Sequence, residues 1–109
     1  MLIETRIEND NLIIGLNEER LDAANARDFK DDLFKRIDNG NTNIVFDMSA
    51  ISFIDSCGIG ALVSALKKIG EAGDMKLSCV TPAVMTVLKL TRLDKAFHIF
   101  ESNREALAA

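Results

Sequence analysis

Hydrophobic and polar residues change their spacing several times along the chain, and each change marks an element. "LIETRIEN" and "NLIIGL" carry strand-type residues on either side of Asp10 and its asparagine neighbours, which suit a tight reversal, so the chain opens with a predicted β-hairpin. From Asn25 the spacing lengthens. Ala26, Phe29, Leu33 and Ile37 fall at i, i+3, i+7 and i+11 with charges between them, and Gly40 follows, which predicts an amphipathic helix with a glycine stop.

"NIVFDM" is a short apolar run between polar flanks, expected for a strand covered on both faces, with Asp47 at its carboxyl end. After a predicted loop, "SAISFID", the residues Ile59, Leu62, Val63, Leu66 and Ile69 mark a second helix that closes near Gly70 and Gly73. "MKLSCV" reads as another interior strand. Thr81 and Pro82 then open a third helix as cap and first residue, with Val84, Val87, Leu88 and Leu90 as its apolar positions. "AFHIF" is a last short strand, and Ser102 and Glu105 have capping-box spacing for a C-terminal helical turn.

The order is ββαβαβαβ(α). Such alternation implies an α/β fold with a mostly parallel or mixed sheet and helices packed against it. In open sheets of this kind, function gathers in loops beyond the carboxyl ends of strands, which directs attention to "SAISFIDSCGIG".

Composition limits what that loop does. With 109 residues, 48% of them apolar, the chain has the size of one compact domain spanning 1–109. Thirteen basic against seventeen acidic side chains give a net charge of −4, and the lysines are scattered, which disfavours nucleic acid. No apolar run is long enough for a membrane span. The first residues mix charges early and lack a basic start with an apolar core, so the expected compartment is the cytoplasm. Cys57 and Cys79 read as two reduced thiols, Cys79 as a small core residue of its strand.

Asp55-Ser56-Cys57-Gly58 opens the second helix and admits several chemistries. A serine or cysteine nucleophile needs a base, and His98, the lone histidine, sits in an apparent strand; the glycine two positions before the serine of a nucleophile elbow is also missing. "GIGALVSALKK" has neither the P-loop spacing nor its Gly-Lys-Ser/Thr end, and no group of residues has metal-ligand spacing. A redox thiol at Cys57 would gain from the helix dipole, but Asp55 opposes it and no resolving cysteine is nearby. Two possibilities stay open. Asp55 or Ser56 is simply a cap, with Gly58 and Gly60 allowing close packing, or Ser56 is an accessible modification site where a phosphate would meet free backbone amides and the positive end of the dipole.

The segment from Ile51 onward strongly resembles the STAS-domain anti-anti-sigma factors, the antagonists of anti-sigma kinases. The most specific part is an apolar pair, Asp-Ser, a small residue and Gly-Leu/Ile-Gly, here Phe53-Ile54-Asp55-Ser56-Cys57-Gly58-Ile59-Gly60. "VFDMSAISFID", "TPAV" and "RLDAANA" also fit that family's pattern. The resemblance implies a mixed sheet with helices mainly on one side, and a switch protein that is not an enzyme and uses no cofactor or metal.

It further implies that Ser56 is phosphorylated by a partner kinase, that Asp22 lies beside it, and that Asp22, Asp55, Ser56, Cys57 and Gly58 form the partner-binding surface. The implied partners are an anti-sigma factor or GHKL-type serine kinase and a PP2C-like phosphatase. Two positions depart from the pattern: Cys57 stands where Ser, Thr or Ala is usual, and Glu19 replaces a glycine ahead of the Leu-Asp pair. A STAS module that binds a nucleotide or scaffolds an assembly, with Ser56 only a cap, is the alternative.

Overall fold

The opening hairpin shows how closely local chemistry fixes the first element. Strands β1 (Ile3–Glu8) and β2 (Asn11–Leu16) pair antiparallel, Ile3 opposite Leu16 and Glu8 opposite Asn11. The two turn residues, Asn9 and Asp10, both take positive φ, 50° and 62°. That is the conformation of a two-residue I′ turn, whose twist matches the strands and which Asn and Asp tolerate better than other side chains. The computed structural model describes residues 2–109.

Three parallel strands extend the sheet. β4 (Asn43–Asp47), β6 (Asp74–Ser78) and β7 (His98–Phe100) follow in the order β1-β2-β4-β6-β7, with Asp47 opposite Ser78 at the carboxyl end. Three helices lie in the connections: α1 (Ala26–Asp38), α2 (Ser56–Ile69), continued by a single 3-10 turn at Gly70–Ala72, and α3 (Pro82–Leu90). All three cover one face. Alternate strand residues Leu12, Ile14, Ile44, Phe46, Met75 and Leu77 meet Phe29, Leu33, Leu62, Val84 and Leu88 in one continuous core, and the Phe29 and Phe46 rings lie 4.9 Å apart in a tilted pair.

The opposite face carries one short helix, α4 (Asn103–Ala108), whose Ala106 packs with Ile13 and Val45. Ser102 caps it by accepting from the Glu105 N–H at 3.1 Å, while Glu105 Oε2 accepts from the Glu101 N–H. Lys76 Nζ donates to the carbonyls of Ala106 and Ala109 at the other end. Asn103 bridges the sheet to this helix, donating to Asp47 Oδ2 at 2.9 Å and accepting from the Ser78 hydroxyl. Burial acts to raise the Asp47 carboxyl, but hydrogen bonds from the Ser49 backbone and from Asn103 outweigh it and leave its pKa below the ordinary value. The fold is thus a mixed sheet with helices mainly on one side, as expected.

Four local features differ from the sequence expectation. "SAISFID" is not all loop: Phe53–Ile54 forms β5, which pairs in parallel with a two-residue strand β3 (Arg20–Leu21) as a small separate sheet. Two residues are too few to leave an alternating pattern. Thr81 occupies the cap position of α3, but its hydroxyl donates to the Ile51 carbonyl at 2.7 Å and makes no cap bond. Cys79 is not a core strand residue; it follows β6 with φ 55° and is half-buried, and desolvation with the nearby Asp47 carboxylate pushes its thiol pKa up. In α2 the fully buried line is Gly58, Ala61, Leu62, Ala65 and Ile69, whereas Ile59, Val63 and Leu66 flank it half-buried. Small side chains let α2 approach its neighbours closely, and a search for bulky apolar residues overlooks them.

Candidate functional site

The small sheet builds the site. By pairing Arg20 with Phe53 and Leu21 with Ile54, it brings the approach to α1 alongside the approach to α2. The Asp55 N–H extends this ladder to the Leu21 carbonyl at 3.3 Å. Asp55 is then the N-cap of α2. Its Oδ1 accepts from the backbone N–H groups of Cys57 (2.9 Å) and Gly58 (3.0 Å), and its Oδ2 accepts from the Ala23 N–H at 3.1 Å. One carboxylate therefore caps the helix and holds the Asp22–Ala23 turn against it.

Asp22 is fixed from its own side. Its Oδ2 accepts from Arg20 Nε at 2.9 Å and its Oδ1 from the Ala24 N–H at 3.0 Å. The Arg20 bond, then the Ala24 bond, holds its carboxyl below the usual range. Asn25 closes the turn: its Oδ1 accepts from the Asp22 N–H and its Nδ2 donates to the Arg20 carbonyl. Arg20 in turn stacks its guanidinium 3.8 Å over the centre of the Phe53 ring, which is 41% exposed. Glu19 bonds to Ser52 rather than standing free, through both its carbonyl and, at 3.3 Å, its carboxylate.

Gly58 is required by contact, not by backbone angle. A Cβ there would lie 2.4 Å from the Leu21 carbonyl oxygen and 2.7 Å from Ile54 Cγ1. Gly60 differs, since a Cβ on it would meet nothing within 4 Å. The idea that both glycines serve close packing holds only for Gly58.

Ser56 is the first residue of α2 and exposed, and among the described residues its hydroxyl makes no hydrogen bond. The amides of Cys57 and Gly58 are occupied by Asp55 Oδ1, and that of Ile59 by the Asp55 carbonyl. A phosphate on Ser56 would find the Cys57, Gly58 and Ile59 amides already taken, leaving of the first turn only the N–H of Ser56 itself. It would instead stand outward beside a capping carboxylate. The five residues Asp22, Asp55, Ser56, Cys57 and Gly58 thus converge on one patch, Asp22 through Ala23 and the rest directly, with Gly58 as its buried floor.

The chain's lone histidine does not join this patch. His98 is hydrogen-bonded to Asp74 at 2.8 Å on β7 and β6, at the sheet's other edge. Among the described residues no group of three His, Cys, Asp or Glu side chains could hold a metal, and no helix is long and apolar enough to cross a membrane. The Arg20–Asp22 pair, the Arg20–Phe53 stack and the Ala23–Asp55 bond were missed by sequence reasoning. Only the first left a signal, opposite charges two residues apart.

Comparison with known proteins agrees with this architecture. A family model described as the STAS domain matches residues 3–106. The chain belongs to the STAS domain family. A candidate anti-sigma factor antagonist of Thermotoga maritima is 33% identical over 101 residues, covering 90% of this chain and 88% of its own. A crystal structure of a Thermotoga maritima protein of that description superposes with a TM-score of 0.87 at 29% identity, over 97% of this chain and 92% of the other. SpoIIAA of Bacillus, solved in its phosphorylated form, shares the fold with a TM-score of 0.74 at 20% identity, over 98% and 97% of the two chains. The STAS domain described here is therefore of the anti-sigma factor antagonist family.

Cys57 is exposed and has no cysteine partner. Its backbone, not its thiol, makes the capping bond. Cys57→Ser is therefore expected to leave the fold and partner binding within about threefold, read by thermal melting and titration. Loss of binding in a folded Cys57→Ser protein would assign the thiol a role.

Proposed function

We propose that this STAS domain is a phosphorylation-controlled antagonist. Unphosphorylated, it docks through the Asp22–Ser56 patch on an anti-sigma factor that is also a GHKL-type serine kinase, in the cytoplasm, and so frees what that partner holds. Phosphorylation of Ser56 ends the complex, and a PP2C-like phosphatase restores it. The relatives named as anti-sigma factor antagonists support the class of partner.

The observation that carries this reading is the state of Ser56: its side chain is exposed and unbonded, at a helix start where Asp55 already takes the Cys57 and Gly58 amides. Such a hydroxyl is open to a kinase. Once modified, it adds about −1.5 to −2 charge at an exposed position beside the Asp55 cap, where a docked partner would meet it. The cap remains made by Asp55, so the helix start does not depend on the serine.

The test is incubation with the cognate kinase and ATP, followed by intact-mass and peptide mass spectrometry. One phosphate is expected, on Ser56, absent from Ser56→Ala. Labelling of Ser49, Ser52 or Ser64 with Ser56 unmodified would overturn the proposal.

A further inference from the structure

Beside the Ser56 patch, α1 and α2 leave an open trough of about 510 Å³. Its lining has one period on both walls. Ala23, Ala26, Arg27 and Lys30 come from α1 and the turn before it, and Cys57, Gly60, Ala61 and Ser64 from α2. Each set falls at i, i+3, i+4 and i+7; the α2 wall runs for about two helical turns, roughly 10 Å, and the α1 wall for just over one helical turn from Ala26, extended by Ala23 in the turn before it. The floor is Ala26 and Ala61, both buried, and the absence of a side chain at Gly60 keeps the α2 wall low.

The charge in this trough is one-sided. The α2 wall has none, whereas the α1 wall presents Arg27 and Lys30. Among the described residues neither cation forms an ion pair; Lys30 Nζ only approaches the Phe34 ring at 5.7 Å. In a chain of net charge −4, two unpaired cations over an uncharged trough are complementary to carboxylates.

We infer that this trough takes an acidic amphipathic helix of the partner, its small apolar residues on the Ala26–Ala61 floor and its Asp or Glu side chains on Arg27 and Lys30. A helix suits the period and length of the walls, and small floor residues permit close axial approach. Ala23 and Cys57 line the trough and also belong to the Ser56 patch, so one partner can cover both. The patch would carry the phosphorylation response, and the trough would hold the partner by a contact that the phosphate does not touch.

This inference rests on the docking role proposed for Ser56, and the experiment separates the two. The purified anti-sigma factor partner is titrated against the parent chain, Ser56→Asp, the double variant Arg27→Glu/Lys30→Glu, and Gly60→Gln, which fills the trough without a steric clash at its Cβ. Thermal melting establishes that each is folded. Both trough variants are expected to bind at least about tenfold more weakly, and the double variant to lose most of the parent's salt dependence. Exchanging the partner helix's acids for lysines should restore binding to the double variant. Parent-like binding by both trough variants, with Ser56→Asp weakened, overturns the trough and leaves the patch standing. Weakening of the trough variants with Ser56→Asp unaffected supports the trough and refutes the phosphoserine switch. A partner that does not bind the parent at all overturns both.

Discussion

Ser56→Asp is expected to weaken binding to the anti-sigma factor partner by about tenfold to a hundredfold, and true phosphoserine by more than about a hundredfold, while Ser56→Ala binds like the parent. A unit charge pair at about 6 Å in an interface of effective dielectric about 20 repels by about 3 kcal/mol, which is about a hundredfold in affinity. Aspartate adds one charge where phosphate adds nearly two, so its effect is the smaller. The occupied amides at the start of α2 matter for the sign of this result. With Cys57 and Gly58 already donating to Asp55, an added anion gains little there to offset its exclusion from the interface. Thermal stability should shift by less than about 1 kcal/mol in either variant, because the site is an exposed helix start. Calorimetric titration decides: tighter binding by Ser56→Asp would make the phosphorylated form the active one and invert the mechanism.

Gly58→Ala is expected to lower the unfolding free energy by about 1–3 kcal/mol despite alanine's better helix propensity. The new Cβ would press on the Leu21 carbonyl oxygen at 2.4 Å, and backbone cannot rotate aside as a side-chain end can. Relief requires α2 to withdraw from β3. That strains the Asp55 N–H to Leu21 bond and the Asp55 to Ala23 bond, which together align the two halves of the patch. Binding to the partner should fall along with stability. Gly60→Ala is the control with the opposite sign: with open space at its Cβ, it should stabilise by up to about 1 kcal/mol. Urea denaturation of the pair measures both, and a Gly58→Ala protein as stable as the parent would mean that the β3–α2 contact is not close-packed.

Spacing was enough to place α1 and α2, because each buries one face and the burial writes itself into positions such as Phe29, Leu33 and Ile37. The inner strands showed as short apolar runs buried on both faces, as at Ile44, Val45 and Phe46, and turn and cap chemistry marked the hairpin, α3 and α4. The Asp55-Ser56 dipeptide was legible for a similar reason: a cap must lie at the residue before the helix, so its place is a matter of local order. Thr81 shows the limit of such local rules. Its position at the head of α3 was right, and its hydrogen bond went to Ile51, 30 residues away.

Chain order by itself determined where α2 begins and which serine it presents. It did not determine what that serine faces. The Asp22 turn is brought to it by two strands of two residues each, a bond from Ala23 to Asp55 across 32 positions, and the lack of a side chain at Gly58 against Leu21. None of these contacts has a period, since each is made between segments distant in sequence whose approach is set by the packing of α1 and α2 on the sheet. The Cys57 and Gly58 amides, by contrast, are filled locally by the Asp55 cap, which chain order left open between Asp55 and Ser56. That the second oxygen of the same carboxylate meets the Ala23 N–H depends on which groups the folded chain brings within about 3 Å, and only tertiary structure decides that.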